Sequence, residues 1–162
     1  MARDMKQPDG DKPDETMYLI EYETMLLGRH AHMTARARGE EGHLERDAYA
    51  LLNRLRLEGP MSIRQLSDAF GLDTSTLNRK TAALLSAGLL ERIPDTEGGI
   101  ARKFRVTDDG ARRLDDERDE RVDGLGDVLA GWTPQDVAAF GDYLKRFNVS
   151  VERLAGRPWP RP

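Results

Sequence analysis

Apolar positions recur along this chain with two different periods. From about residue 16 to 38, Met17, Ile20, Thr24, Leu27 and Ala31 keep helical spacing. From about 44 to 57, Leu44, Ala48, Leu51, Leu52 and Leu55 fall at i, i+4, i+7, i+8 and i+11, a single amphipathic face that Glu58-Gly59-Pro60 ends. Ser62-Ile63-Arg64-Gln65 has the form of a capping box and opens a short helix with Ile63, Leu66, Ala69 and Phe70 on one face. Gly71-Leu72 makes a turn, and Asp73 caps a second helix to about residue 86, with Leu77, Thr81, Leu84 and Leu85 facing inward. Two short helices joined by a glycine-containing turn form a helix-turn-helix.

After Gly88 the period changes to two. Residues 89–93 and 102–106 alternate like strands, and Pro94-Asp95-Thr96-Glu97-Gly98-Gly99 between them carries strong turn chemistry, so a hairpin wing follows the motif. Helical spacing then returns. Thr107 caps a long charged helix to about residue 131, through Leu114, Arg118, Val122, Leu125 and Leu129. Thr133-Pro134 starts a last helix to about residue 154, through Val137, Phe140, Tyr143, Leu144, Phe147 and Val151. The ends differ from the middle. Residues 1–15, rich in Pro, Gly, Asp and Lys, read as a disordered arm, and residues 156–162, Gly-Arg-Pro-Trp-Pro-Arg-Pro, as a tail that cannot continue a helix.

Composition narrows the functions. The 162 residues are 38% hydrophobic, 33% charged and 6% aromatic, which leaves a core of Leu, Val, Ile, Ala and Met and a wet surface. No stretch approaches the ~18 apolar residues of a membrane span. The start lacks the apolar segment of a secretory signal, which points to a cytoplasmic chain. The absence of cysteine removes disulfides, thiolate metal sites and thiol redox chemistry. His30 and His32 stand two apart and share no helical face, and His43 is the remaining histidine, so neither metal nor cofactor is expected. The carboxylates of the run from Asp115 to Arg121 read as a solvated helix face with pairs such as Glu117 to Arg121. With no nucleophile elbow, phosphate loop or His-Glu metal motif, catalysis is not expected.

Charge is unevenly placed. The net charge is −4, yet residues 54–105 hold nine Lys/Arg against six Asp/Glu, a local +3 inside flanks of −7. The second helix of the motif carries Thr74, Ser75, Thr76, Asn78, Arg79 and Lys80 on its first turns. Asn and Arg bond adenine and guanine in bidentate fashion, and Ser and Thr meet either bases or phosphate. Ser62 and Gln65 suit a phosphate contact at a helix start, and Arg102 and Lys103 add charge on the wing. Capping alone also accounts for Ser62 and Asp73.

The order of elements resembles the MarR family of bacterial transcriptional regulators, and local runs carry the likeness. Residues 62–68 (Ser-Ile-Arg-Gln-Leu-Ser-Asp) resemble the family's third helix, and 73–79 (Asp-Thr-Ser-Thr-Leu-Asn-Arg) the start of its recognition helix. Ala87-Gly88-Leu89-Leu90-Glu91-Arg92 is similar to the run into the wing, and Val106-Thr107-Asp108-Asp109-Gly110 to its exit. The wing departs from the pattern, with Glu97 where the family usually has an Arg two residues past the Asp.

The resemblance implies a mainly α fold with a small β-hairpin wing. A dimerisation helix would cover residues 16–42, a winged helix-turn-helix lobe 43–107, and further dimerisation helices 108–155. The apolar stripes of the flanking helices are too long to bury on so small a winged core and point to a homodimer, the alternative being an intramolecular bundle in a monomer. The resemblance implies that it binds double-stranded DNA at a palindromic operator as a repressor, in the bacterial cytoplasm and on the nucleoid when bound. Release would follow a small anionic or phenolic effector, for which His30, Met33 and Arg54 are weak candidates, each better explained by packing or surface position. The alternative is a winged-helix protein-interaction module without sequence-specific DNA binding, which the altered wing keeps open.

Overall fold

The computed structural model describes residues 14–36, 44–95 and 102–162, with backbone alone over 31–36. Among them six helices and three short strands follow in order. The expected arm and the wing tip, including Glu97 and Gly98-Gly99, lie largely outside the described residues, as do His43 and the side chains of His32 and Met33.

Helix α1 (Glu15–Arg36) belongs to a unit of its own. It starts slightly before the expected boundary, because Asp14 accepts the Thr16 amide at 3.1 Å on its carboxylate and the Met17 amide at 2.7 Å on its carbonyl. Met17, Tyr18, Leu19, Ile20, Tyr22, Met25 and Leu27 are exposed along it.

The second unit runs from residue 43 to 162. Its core is leucine-rich, as the composition implies. From α2 (Arg46–Glu58) come Leu51, Leu52 and Leu55; from α3 (Ile63–Phe70) Leu66; from α4 (Thr74–Ser86) Leu77 and Leu84. Strand β1 (Met61–Ser62) adds Met61, β2 (Leu90–Ile93) Leu90, and β3 (Lys103–Val106) Phe104. The first half of α5 (Asp108–Leu129) closes this core with Leu114. The sheet order is β1-β3-β2 and both pairings are antiparallel, Met61 opposite Phe104 and Leu90 opposite Val106. The expected hairpin is therefore extended by a third strand. At two residues, β1 is too short to display a period-two pattern, and Gly59-Pro60 reads locally as a helix stop.

Gly110 sets how closely α5 approaches the sheet. A Cβ there would lie 2.2 Å from the Leu89 carbonyl oxygen, so only glycine fits the first turn. Thr107 anchors the same junction. Its hydroxyl accepts from the Gly110 amide at 3.0 Å and donates to the Gly88 carbonyl at 2.7 Å.

The carboxylate run on α5 corrects one expectation. Glu117 is not on a solvated face but is 2% exposed. It accepts the Leu44 amide at 3.0 Å and pairs with the expected Arg121 at 2.9 Å. This contact holds Leu44 in the core just before α2, which begins at Arg46 rather than at residue 44. Arg121 also lies over the Tyr49 ring at 4.2 Å, so the charges of α5 fasten it to α2.

Helix α6 (Pro134–Ala155) begins as the sequence indicates, with the Thr133 hydroxyl accepting the Asp136 amide at 3.2 Å. None of its residues is buried. Val137, Tyr143, Phe147, Val151 and Leu154 are exposed, as are Val122, Leu125 and Val128 on the second half of α5. No described helix is long and apolar enough to cross a membrane.

Candidate nucleic-acid interface

The helix-turn-helix is formed by α3, a turn, and α4. Both bonds of the capping box are present. The Gln65 amide donates to Ser62 Oγ at 3.2 Å, and the Ser62 amide donates to Gln65 Oε1 at 2.8 Å. This pairing consumes two helix-start amides but leaves the Ser62 hydroxyl proton and the Gln65 side-chain NH2 as donors. Between them on the first turn, Arg64 is exposed and makes no ion pair with a described residue. It belongs with the candidate site, and its place in the local basic excess was the one signal that pointed to it.

The turn is fixed by polar contacts. Gly71 sits at φ +64°, and its amide donates to the Ser67 carbonyl at 2.9 Å. Ser67 Oγ donates to the Leu72 carbonyl at 2.6 Å. Asp73 then caps α4. Its carboxylate accepts from the Ser75 hydroxyl, from the Thr76 amide at 2.8 Å and from the Thr76 hydroxyl at 2.8 Å. These bonds, the Ser75 hydroxyl foremost, hold its carboxyl well below the usual carboxylate range.

This geometry sorts the expected reading residues. Ser75 and Thr76 spend their hydroxyl protons on Asp73, so toward a base edge they retain acceptor capacity. Thr74, Asn78 and Arg79 are exposed, and Arg79 makes no ion pair with a described residue. Thr74 and Asn78 are four apart and share a face, as do Ser75 and Arg79. Behind them Leu77 and Thr81 are fully buried, and Thr81 Oγ1 donates to the Leu77 carbonyl at 2.9 Å. The outward face thus has a rigid backing. Lys80 is turned aside to the Asp47 carboxylate at the start of α2. On the wing, Arg102 is exposed, whereas Lys103 pairs with Asp95 at 2.9 Å across the base of the hairpin.

The effector candidates differ in kind. His30 is exposed on α1, and the Met33 side chain is outside the described residues. Arg54 is buried in α2. Its guanidinium donates to Glu58 at 2.7 and 2.9 Å and to the Pro158 carbonyl at 3.0 Å, with the Trp159 ring 4.8 Å away.

Comparison with known proteins identifies the family. The model of the MarR family matches residues 44–98, from the start of the lobe into the wing. The uncharacterised HTH-type transcriptional regulator YxaD of Bacillus subtilis (strain 168) is 35% identical over 130 residues, 80% of this chain and 91% of that one. The chain belongs to the MarR family. Membership makes it a transcriptional regulator of a DNA-binding family. Solved MarR-family structures share its winged-helix fold. A MarR family protein from Bacillus stearothermophilus matches with a TM-score of 0.69 at 20% identity, covering 86% of this chain and 99% of that one. PcaV of Streptomyces coelicolor, in complex with its natural ligand, matches with a TM-score of 0.62 at 24% identity, covering 88% and 99%.

Proposed function

We propose that this MarR-family protein is a homodimeric repressor that reads a palindromic DNA operator through α4. The observation that carries the reading is the outward face of that helix. Thr74, Asn78 and Arg79 are open to solvent on a turn locked by Asp73 and backed by Leu77 and Thr81. Asn and Arg supply bidentate base contacts there, while Ser62, Gln65 and Arg64 at the start of α3, with Arg102 on the wing, serve the phosphates. Lys80 and Lys103 contribute charge from behind their ion pairs with Asp47 and Asp95.

The dimer is supported by the exposed apolar residues of α1, of the second half of α5 and of α6, which a second copy of the chain would cover. Twofold symmetry would then set two α4 helices about 34–36 Å apart, one turn of duplex, and this requires a palindromic site. That PcaV is seen in complex with a natural ligand supports control by an effector. The one expected here is small and anionic or phenolic, and its binding would change that spacing and release the DNA.

Selection of bound duplexes from a random pool at two salt concentrations tests the reading. A palindrome should emerge, bound at least about 10³-fold more tightly than random DNA and with steep salt dependence. Binding without sequence preference would instead favour a winged helix used to hold a protein partner.

A further inference from the structure

Residues 156–162 do not hang from the end of α6. Gly156 breaks the helix at φ +64°, and the Arg157 amide returns to the Glu152 carbonyl at 3.0 Å. The chain then lies across the helix-turn-helix. The Trp159 ring meets Phe70 of α3 edge-on at 5.2 Å, and the Arg54 guanidinium of α2 lies over it at 4.8 Å. The Pro158 carbonyl accepts from Arg54 at 3.0 Å. Arg157 places its guanidinium where a Cβ on Gly71 would be, 2.7 Å from that position, so the turn between α3 and α4 leaves the room it occupies. Glu152 on α6 closes the loop from behind, accepting the Trp159 amide at 3.1 Å and Arg161 at 2.6 and 2.9 Å.

We infer that residues 156–162 form a positioning strap, in which Trp159, seated between Arg54 and Phe70, fixes α6 to the helix-turn-helix and so fixes the orientation of the reading head. The inference rests on the dimeric DNA-reading function proposed above. Helix α6 buries none of its own residues, so these contacts add to the hold it has on the lobe through the attraction between Glu152 and Arg54. The leverage is large. A 22-residue helix is about 33 Å long, so a 10° swing at one end displaces the other by about 6 Å, nearly two base-pair steps. A loosened head would keep its base contacts and lose its discrimination between half-site spacings.

The absence of cysteine makes the geometry directly measurable. Spin labels at Ser86→Cys on α4 and Ser150→Cys on α6, in full-length chains diluted into unlabelled protein, report one intrachain distance. The expected result is a narrow distribution that broadens in Trp159→Ala and in a chain stopped after Gly156, and narrows again in Trp159→Phe. Circular dichroism confirms that each variant is folded, and the shortened chain stands in if Trp159→Ala is not. Equal widths with and without the strap overturn the inference.

On DNA, the intact dimer should bind a selected site about tenfold more tightly than one lengthened by a base pair, as expected for pre-organised bivalent contact. Trp159→Ala should reduce that ratio to below about threefold while changing single half-site affinity by less than about twofold. An equal loss on both sites, or an unchanged ratio, overturns the positioning role. If the intact chain selects no duplex, the proposed function fails, and the distance widths still decide whether the strap holds α6.

Discussion

In the lobe, Leu51, Leu52, Leu66, Leu77 and Leu114 are at most 1% exposed, whereas on the second half of α5 and on α6, Val122, Leu125, Phe147, Val151 and Leu154 stand between 46% and 90% exposed. Both regions are helical, and both are amphipathic by sequence. The lobe closes its apolar faces with short elements that fold back on one another through two tight junctions, Gly71 and Gly110. Within the second unit the later half of α5 and α6 leave these faces open to solvent, and α1, taken alone, shows the same exposure. Burial of apolar area is the main favourable term in folding. One chain is therefore sufficient to close the lobe, while the long helices keep apolar faces that the proposed second copy would cover.

The contrast breaks most visibly in the core. Leu66→Ala removes a fully buried α3 side chain from the core of the lobe, and should cost about 2–5 kcal/mol in urea unfolding. A smaller change would show a lobe less tightly packed than its burial indicates. Gly110→Ala tests the α5 junction, where the added methyl would press on a backbone carbonyl rather than on a side chain that can turn away. The expected loss is about 1–3 kcal/mol of stability. An unchanged melting temperature would mean that α5 shifts freely on the sheet.

On the reading face the measured quantity becomes affinity. Arg79→Ala should weaken operator binding by about 1–3 kcal/mol and relax the choice of base at one position. A uniform loss across sequences would make Arg79 a phosphate contact, and no loss would remove it from the interface. The smallest effect concerns Asp73, whose ionised form is favoured in the folded chain by the Ser75 and Thr76 bonds. An unfolded Asp titrates near about 3.9. The stabilisation by this cap is therefore complete above about pH 4 and declines as the pH falls below it, toward the still lower value of the folded state. In Asp73→Asn that part of the acid dependence should disappear. An identical acid profile in the two proteins would mean that the cap does not couple to folding.

What could be read from the sequence was local. The capping box at Ser62, the caps at Asp73, Thr107 and Thr133, and the leucine stripe of α2 are signals within four residues of the groups they act on, and all of them are present. The features that escaped are contacts between residues far apart in the chain. Glu117 reaches back 73 residues to the Leu44 amide, and Lys80 reaches Asp47. Pro158 and Arg54 meet across 104 residues. A carboxylate among charged neighbours, or a tryptophan among prolines, carries no mark of the surface it will be pressed against. The same limit applies to the reading face. Sequence placed Thr74 through Lys80 on one helix, but which hydroxyl protons Asp73 would consume and where Lys80 would turn depended on the fold.

The most direct test of the contrast is the molar mass of the chain in solution, by light scattering at micromolar concentration. If a second copy completes the long helices, the mass is twice the 18.3 kDa of one chain. A species of 18.3 kDa would contradict it, because the exposed faces of α5 and α6 would then be stable in water without a partner.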